Sequence, residues 1–168
     1  VEGASKGDVE AFLGVPYAAP PVGPNRWRAP GPVTSWKAVR PANQYAPACY
    51  QAIAKPWGPY SQDFVAGEPI SEDCLYLNVW KPAGRQKKLP VLVFIHGGGF
   101  GGGAGSLPVY DGAKLAANGA IVITINYRVG VFGFLAHPAL TAESGTKSSG
   151  NYGLLDQIAA LKWVQKNI

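Results

Sequence analysis

A glycine-rich segment directly after a short apolar run has the residue types best suited to chemistry in this sequence. The apolar run at 91–95 leads into His96, three consecutive glycines at 97–99 and then Phe100. Consecutive glycines let the backbone adopt positive φ angles and leave N–H groups uncovered by side chains. Three interpretations are open: an ordinary turn, a phosphate-binding loop, or an oxyanion hole whose N–H groups stabilise a tetrahedral intermediate.

The residues around the glycines favour an oxyanion hole over a phosphate-binding loop. No Gly-Lys-Ser or Gly-Lys-Thr is present there, and no helical pattern begins directly after the glycines. A buried strand that ends at His-Gly-Gly-Gly is the context in which such a loop supplies oxyanion-hole donors. A bulkier residue at Gly98 or Gly99 is therefore predicted to slow catalysis at least about 100-fold.

Three segments have patterns typical of strands that would position this loop. Residues 75–80 alternate between apolar and polar side chains, which predicts a strand with one polar face. Residues 91–95 and 120–125 are almost continuously apolar and β-branched, which predicts strands buried on both faces.

Two helices are predicted around these strands. Residues 111–118 form a short helix, with Asp111 as its N-cap and Gly119 after its end. The apolar residues Leu154, Ile158, Leu161, Val164 and Ile168 have helical spacing, which predicts an amphipathic helix. Residues 133–150, rich in Gly, Ser and Thr, are predicted to be a loop.

The alternation of strands and helices predicts an α/β fold with a parallel central sheet. Two parallel strands and two helices cannot cover buried strands on both sides. We therefore expect residues 1–168 to be the N-terminal part of a single domain, with the remainder C-terminal to Ile168.

The composition excludes several classes of protein. The 168 residues include 15 Lys and Arg against 10 Asp and Glu, a formal charge of +5, and 47% are hydrophobic, which excludes a disordered chain. The apolar runs are far shorter than the roughly 20 residues that span a bilayer, and no signal-peptide pattern is visible. The basic cluster at 85–88 is interpreted as a solvated turn, so no nucleic-acid partner is expected. No metal or other cofactor is expected either.

The two cysteines, Cys49 and Cys74, leave two interpretations open. They are either two buried thiols or one disulfide, and a disulfide would imply an oxidising compartment.

Six separated blocks resemble one known family. In this order they resemble the N-terminal part of the type-B carboxylesterases, the carboxylesterase and cholinesterase group of the α/β-hydrolase fold. The blocks are residues 12–23 (FLGVPYAAPPVG), 26–30 (RWRAP), 71–80 (SEDCLYLNVW), 96–100 (HGGGF), 126–130 (NYRVG) and 153–157 (GLLDQ).

The resemblance implies roles for four residues of the substrate site. Gly98 and Gly99 match the two oxyanion-hole glycines of the family, and Phe100 would line the gorge. Phe64 lies where cholinesterases carry a tryptophan that stacks on choline. A phenylalanine there weakens the case for a quaternary-ammonium substrate, because tryptophan is the better cation–π partner.

The resemblance also implies structural pairs. Cys49 and Cys74 match the first disulfide of the family, which favours a secreted or periplasmic location. Arg26 with Glu72, and Arg128 with Asp156, match two structural ion pairs, and buried charges persist when they are paired and hydrogen-bonded. The partners expected are a small-molecule ester and the C-terminal remainder of the protein.

The catalytic triad of such an enzyme is not expected within this sequence. Ser5 lies in a Gly-x-Ser-x-Gly match at 3–7, but no buried strand precedes it and no helical pattern follows it. His96 is expected to shape the oxyanion loop, and His137 to lie in a loop.

The function predicted is therefore ester hydrolysis by a serine acyl-enzyme mechanism. The triad would lie on the C-terminal remainder, so that this chain alone would be inactive. The alternative from another class is a catalytically inactive, cholinesterase-like adhesion or binding protein. A self-standing binding fragment is disfavoured because its buried strands would lack partners.

Overall fold

A five-stranded mixed sheet lies at the centre of the structure, a computed structural model that describes residues 1–84 and 88–168. The strands are β1 (Ala4–Lys6), β2 (Val9–Pro16), β3 (Ala48–Cys49), β4 (Ile70–Ser71), β5 (Tyr76–Pro82), β6 (Val91–Ile95) and β7 (Ile121–Ile125). The helices are α1 (Ala113–Ala117), α2 (Gly130–Phe134), α3 (Pro138–Glu143) and α4 (Tyr152–Asn167). Short 3₁₀ turns cover Gly23–Asn25, Gln62–Phe64 and Pro108–Tyr110.

The strand order of the main sheet is β1-β2-β5-β7-β6. From β1 to β7 each pair of neighbouring strands is antiparallel, and only β6 and β7 run parallel. The two short strands β3 and β4 form a separate parallel pair. The parallel pairing predicted for the apolar runs at 91–95 and 120–125 is confirmed by β6 and β7, and the strands before them in the chain add an antiparallel part to the sheet.

Helices cover both faces of this sheet. On one face, Leu77 and Ile123 belong to a buried cluster that includes Ala160 of α4. On the opposite face, Trp80 and Val122 pack with Ala116 of α1. Successive side chains of a strand point to opposite faces, so the β-branched and aromatic residues of β5 and β7 fill both layers.

Strand β5 has no polar face, contrary to the prediction. Asn78 is only 5% exposed, and its amide nitrogen donates to Thr124 Oγ1 at 3.0 Å and to the carbonyl oxygen of Gly105 at 3.3 Å. Its Oδ1 accepts a hydrogen bond from the backbone N–H of Gly14 at 3.0 Å. These bonds replace hydration, so a polar side chain is buried within the sheet.

Strand β6 has the predicted bounds but not the predicted burial. Val91, Leu92 and Ile95 are between 39% and 46% exposed. The physical reason is that β6 is an edge strand, and within residues 1–84 and 88–168 it pairs only with β7.

The loop predicted at 133–150 contains helical residues. Helix α2 covers Gly130–Phe134 and α3 covers Pro138–Glu143. His137 is the N-cap of α3, where its Nδ1 accepts a hydrogen bond from the N–H of Ala139 at 3.2 Å. The basic cluster predicted as a turn falls mostly on residues 85–87, which lie outside the described residues.

The two predicted helices are present with altered details. Helix α1 begins at Ala113, two residues after Asp111, whose Oδ1 nevertheless accepts from the Ala113 N–H at 2.8 Å. Helix α4 packs on the core through Ala160, while the predicted apolar stripe is largely exposed; Leu154, Ile158 and Leu161 are between 39% and 47% exposed. No helix in the described part of the chain is long and apolar enough to cross a membrane.

Candidate active site

The glycine-rich loop begins at the carboxyl end of β6 and is exposed over residues 97–101. Gly98 has φ +118° and Gly99 has φ +58°, in the region that favours glycine. The N–H of Gly101 donates to the carbonyl oxygen of Gly98 at 3.0 Å, which closes a turn. The N–H groups of Gly98 and Gly99 donate to no atom of the described residues, so both are available to a ligand.

The loop is packed so tightly that glycine is required at several positions. A Cβ atom on Gly98 would overlap the carbonyl oxygen of Gly102. A Cβ atom on Gly103 would overlap the ring of His96 and the carbonyl oxygen of Gly97. The loop therefore folds back on its own first residues, which fixes where the Gly98 peptide lies.

The His96 side chain supports the start of this loop. It is 3% exposed, its ring stacks on Tyr127 with centroids 4.3 Å apart, and its Nδ1 lies 2.9 Å from the carbonyl oxygen of Gly97. The Tyr127 hydroxyl donates to the carbonyl oxygen of His96 at 2.9 Å. Burial lowers the pKa of His96, which favours the neutral form of the ring, while the hydrogen bond to Gly97 opposes this shift. These contacts suit a residue that shapes the backbone.

Three side chains from two segments anchor the loop, and they were not among the site residues predicted from the sequence. At Gly105, the carbonyl oxygen accepts from Thr124 Oγ1 at 2.6 Å, and the N–H donates to Asn126 Oδ1 at 2.8 Å. At Gly103, both backbone groups bond to the side-chain amide of Gln51. Only the position of Asn126 directly after an apolar strand signals its role in the sequence.

An aromatic cavity of about 620 Å³ opens beside the loop. Gly97, Gly98 and Gly101–Gly103 form one side of it. Trp57, Tyr60 and Phe64 also line it, and their rings pack in series with centroids 5.2 Å and 5.8 Å apart. Trp57 and Tyr60 were not among the predicted site residues.

The two predicted aromatic residues lie in different places. Phe64 lines the cavity and is 43% exposed. Phe100 is not among the residues that line it; its ring instead packs on Phe134 with centroids 4.8 Å apart. The structure thus brings Phe64, but not Phe100, to the cavity that the glycine loop borders.

A disulfide joins Cys49 and Cys74, with an S–S distance of 2.07 Å. Both cysteines are buried, and the bond closes the segment that carries the aromatic residues of the cavity. The disulfide therefore holds the aromatic wall to the strands β3 and β5, whose ends lie beside the two cysteines.

The two predicted ion pairs are present but differ in burial. Asp156 is fully buried and accepts from Arg128 Nε at 2.8 Å, from its terminal nitrogen at 2.7 Å and from its backbone N–H at 3.0 Å. Burial raises the pKa of Asp156, while the hydrogen bonds and charge of Arg128 oppose this shift. The Arg26–Glu72 pair is bidentate, but the Arg26 side chain is 38% exposed. The expectation of burial is therefore wrong for Arg26.

The structural context of Ser5 agrees with its rejection as the nucleophile in the sequence analysis. Ser5 lies on β1, in a hairpin opposite Glu10 of β2, and no helix follows it. In the described part of the chain no group of three or more His, Cys, Asp or Glu side chains could hold a metal ion.

Comparison with known proteins identifies the family. The sequence matches the Carboxylesterase family over residues 1–168. It is 53% identical over 169 residues to fumonisin B1 esterase of Sphingopyxis macrogoltabida and 49% identical over 169 residues to para-nitrobenzyl esterase of Bacillus subtilis (strain 168). It is 49% identical over 165 residues to a cholinesterase of Mus musculus. These alignments cover 100%, 100% and 96% of this chain.

The mixed sheet with helices on both faces is the N-terminal part of an α/β-hydrolase fold. Within that fold, the chain belongs to the carboxylesterase family, as its resemblance to type-B carboxylesterases predicted. The chain spans 30%, 33% and 26% of the length of the three relatives named above.

Proposed function

We propose that the full-length protein containing this chain hydrolyses carboxylic esters through a serine acyl-enzyme, and that this chain supplies the oxyanion hole. One observation carries the proposal. The N–H groups of Gly98 and Gly99 donate to none of the described residues, and they lie on a loop of which Gly97, Gly98 and Gly101–Gly103 line an aromatic cavity. Fixed donors beside an apolar cavity can stabilise negative charge that develops on a bound carbonyl oxygen.

The chemistry assigned to this chain is charge stabilisation. When a serine oxygen attacks the ester carbonyl, the carbonyl oxygen becomes negative and accepts hydrogen bonds from Gly98 and Gly99. Collapse of the tetrahedral intermediate breaks the bond to the alcohol and leaves an acyl-enzyme, which water then hydrolyses through a second intermediate at the same donors.

The nucleophile, acid and base are assigned to the remainder of the protein. Two apolar surfaces support its placement: the free edge of β6 and the exposed face of α4 formed by Leu154, Ile158 and Leu161. The relatives named above are three to four times as long as this chain, which leaves ample length for the triad. Residues 1–168 alone are therefore expected to have no esterase activity.

The cavity favours uncharged esters over choline esters. The residues that line it are all uncharged; the larger ones are Gln51, Trp57, Tyr60, Phe64 and Tyr110. A quaternary ammonium is held best by a tryptophan face, but Trp57 is 68% exposed, and the less exposed ring of Phe64 is a weaker cation–π partner. We therefore expect p-nitrophenyl butyrate to be a better substrate than butyrylthiocholine.

The compartment proposed is extracellular or periplasmic. A disulfide within a small buried region persists in an oxidising environment and is rare in the cytosol. The Cys49–Cys74 bond supports this location.

The proposed function is tested with the full-length protein. It is incubated with p-nitrophenyl butyrate before and after treatment with a phosphonofluoridate that modifies nucleophilic serines. Hydrolysis that is abolished in proportion to the serine modified supports the proposal. A folded full-length protein that hydrolyses no ester contradicts it and favours the inactive, cholinesterase-like binding protein.

A further inference from the structure

The Gln51 side chain joins the disulfide region to the oxyanion loop. Gln51 follows Cys49 by two residues, and its Nε2 donates to the carbonyl oxygen of Cys49 at 2.9 Å. The same Nε2 donates to the carbonyl oxygen of Gly103 at 2.9 Å, while Oε1 accepts from the Gly103 N–H at 2.7 Å. One side-chain amide thus bonds both backbone groups of a single loop residue.

The Gln51 amide uses both of its polar atoms to hold the glycine-rich loop in place. An amide side chain offers two donor hydrogens and one acceptor oxygen, and here both hydrogens and the oxygen are used. A flexible glutamine loses side-chain entropy when it is held in one conformation, and three hydrogen bonds offset that loss.

The contact reaches the proposed oxyanion donors through the glycines of the loop. Gly102 approaches Gln51 so closely that a Cβ on Gly102 would lie 2.7 Å from Oε1. The carbonyl of Gly102 packs in turn against Gly98, and Gly103 packs against His96. Movement of the Gly102–Gly103 segment would therefore release the surface that confines Gly98.

We propose that Gln51 is a positioning residue for the oxyanion hole. Its hydrogen bonds hold Gly102 and Gly103 against the Gly98 peptide, and this contact fixes the direction of the Gly98 N–H. This inference rests on the oxyanion role proposed above. A misplacement of about 1 Å in an active site can lower rates about 100-fold, so loss of the Gln51–Gly103 hydrogen bonds is expected to lower kcat about 10- to 100-fold.

The experiment compares three variants of the full-length protein. Gln51→Leu removes all three hydrogen bonds at similar volume, and Gln51→Glu keeps an acceptor for the Gly103 N–H but removes both donors. Gln62→Leu is the matched control, because Gln62 is exposed and lies in the same disulfide-closed segment. The readouts are kcat and KM for p-nitrophenyl butyrate and deuterium exchange of a peptide that covers residues 97–103.

The inference predicts a lower kcat for both Gln51 variants and faster exchange confined to residues 97–103. The change in KM should be smaller than the change in kcat, although Gln51 also lines the cavity. Gln62→Leu should match the unsubstituted protein in both measurements. Gln51 variants that equal Gln62→Leu in kcat, in an enzyme that Gly98→Ala inactivates, would overturn the inference and leave the oxyanion role intact. Faster exchange spread over the sheet strands would also overturn it, since it indicates general destabilisation. If the full-length protein hydrolyses no ester, the proposed function fails. The role of Gln51 in holding the loop is tested independently of activity, because unchanged exchange of residues 97–103 in both Gln51 variants would refute it.

Discussion

Gly98 packs directly against the carbonyl group of Gly102, so that any side chain at position 98 would overlap that oxygen. At the next position the situation differs, because a Cβ on Gly99 would meet no atom within 4 Å. The two glycines proposed to act together therefore differ in what they tolerate, although the sequence presents them as equivalent.

Alanine substitutions at these positions should have unequal effects. Gly98→Ala forces the loop to move and should lower kcat for p-nitrophenyl butyrate at least about 100-fold, as expected for loss of one oxyanion donor. Gly99→Ala has only the strain of a positive φ, about 1–2 kcal/mol, and should lower kcat by about tenfold or less. This replaces, for Gly99, the loss of at least about 100-fold that the sequence pattern predicts for both glycines. Steady-state kinetics of both variants tests this difference. Equal losses, or a larger loss for Gly99→Ala, would contradict the packing described for Gly98.

Removal of the disulfide should destabilise the protein. Cys49 and Cys74 are 25 residues apart, and closure of a loop of that length corresponds to about 3.5 kcal/mol of chain entropy. The variant Cys49→Ser/Cys74→Ser should show this loss in urea-induced unfolding. The unsubstituted protein should show a similar loss under reducing conditions, whereas the double variant should be indifferent to reductant. Equal urea midpoints with and without reductant in the unsubstituted protein would be inconsistent with the bond.

The two ion pairs should differ strongly when their arginine is replaced. Arg128→Met leaves the buried Asp156 without its partner and should destabilise the protein by about 3–5 kcal/mol. Arg26→Met is the control, and its effect should be much smaller because solvent screens the partly exposed Glu72. Chemical denaturation of both variants provides the comparison. A similar loss for the two would show that burial does not decide their importance.

The stability of the protein should fall at acidic pH through His96. Burial lowers the pKa of His96 below its ordinary value of 6.5, so the unfolded chain takes up a proton at this residue at higher pH than the folded chain does. The unfolded state binds more protons in that interval, and the free energy of unfolding decreases as the pH falls below about 6.5. Urea midpoints measured from pH 8 to pH 5 should decline less steeply for His96→Asn. An identical decline in both proteins would rule out this residue as a source of the pH dependence.

The exposed face of α4 should behave as a buried face in the full-length protein. Ile158→Asp should lower the urea midpoint because we place the C-terminal remainder on this face, although Ile158 is 47% exposed here. Val39→Asp is the control, because Val39 is 69% exposed and does not lie on the proposed interface. If both substitutions were equally harmless, the remainder would have to pack elsewhere.

Much of the fold followed from local sequence patterns. The apolar runs at 91–95 and 121–125 formed strands because β-branched residues pack well in a sheet. Helix α2 escaped prediction because five residues with two glycines have little intrinsic helicity, and such a helix depends on tertiary contacts. Helix α3 could have been found, since Pro138 occupies its first turn.

The site was less accessible to sequence reasoning than the fold. Glycines 98 and 99 could be named because their order after a strand is distinctive. Gln51 and Asn78 could not be predicted, because a glutamine in an irregular segment and an asparagine in an alternating strand have no distinctive local sequence pattern. Their importance arises from contacts with residues 52 and 27 positions away in the chain.

The position of β7 between β5 and β6 has a consequence for biosynthesis. Strands β1, β2 and β5 can pair as soon as β5 has left the ribosome, whereas β6 must wait for residues 121–125 to emerge. The apolar run at 91–95 therefore has no strand to pair with while about 30 further residues are translated, which takes a few seconds at ordinary elongation rates. During this interval it is the stretch of the nascent chain that a chaperone would most usefully cover.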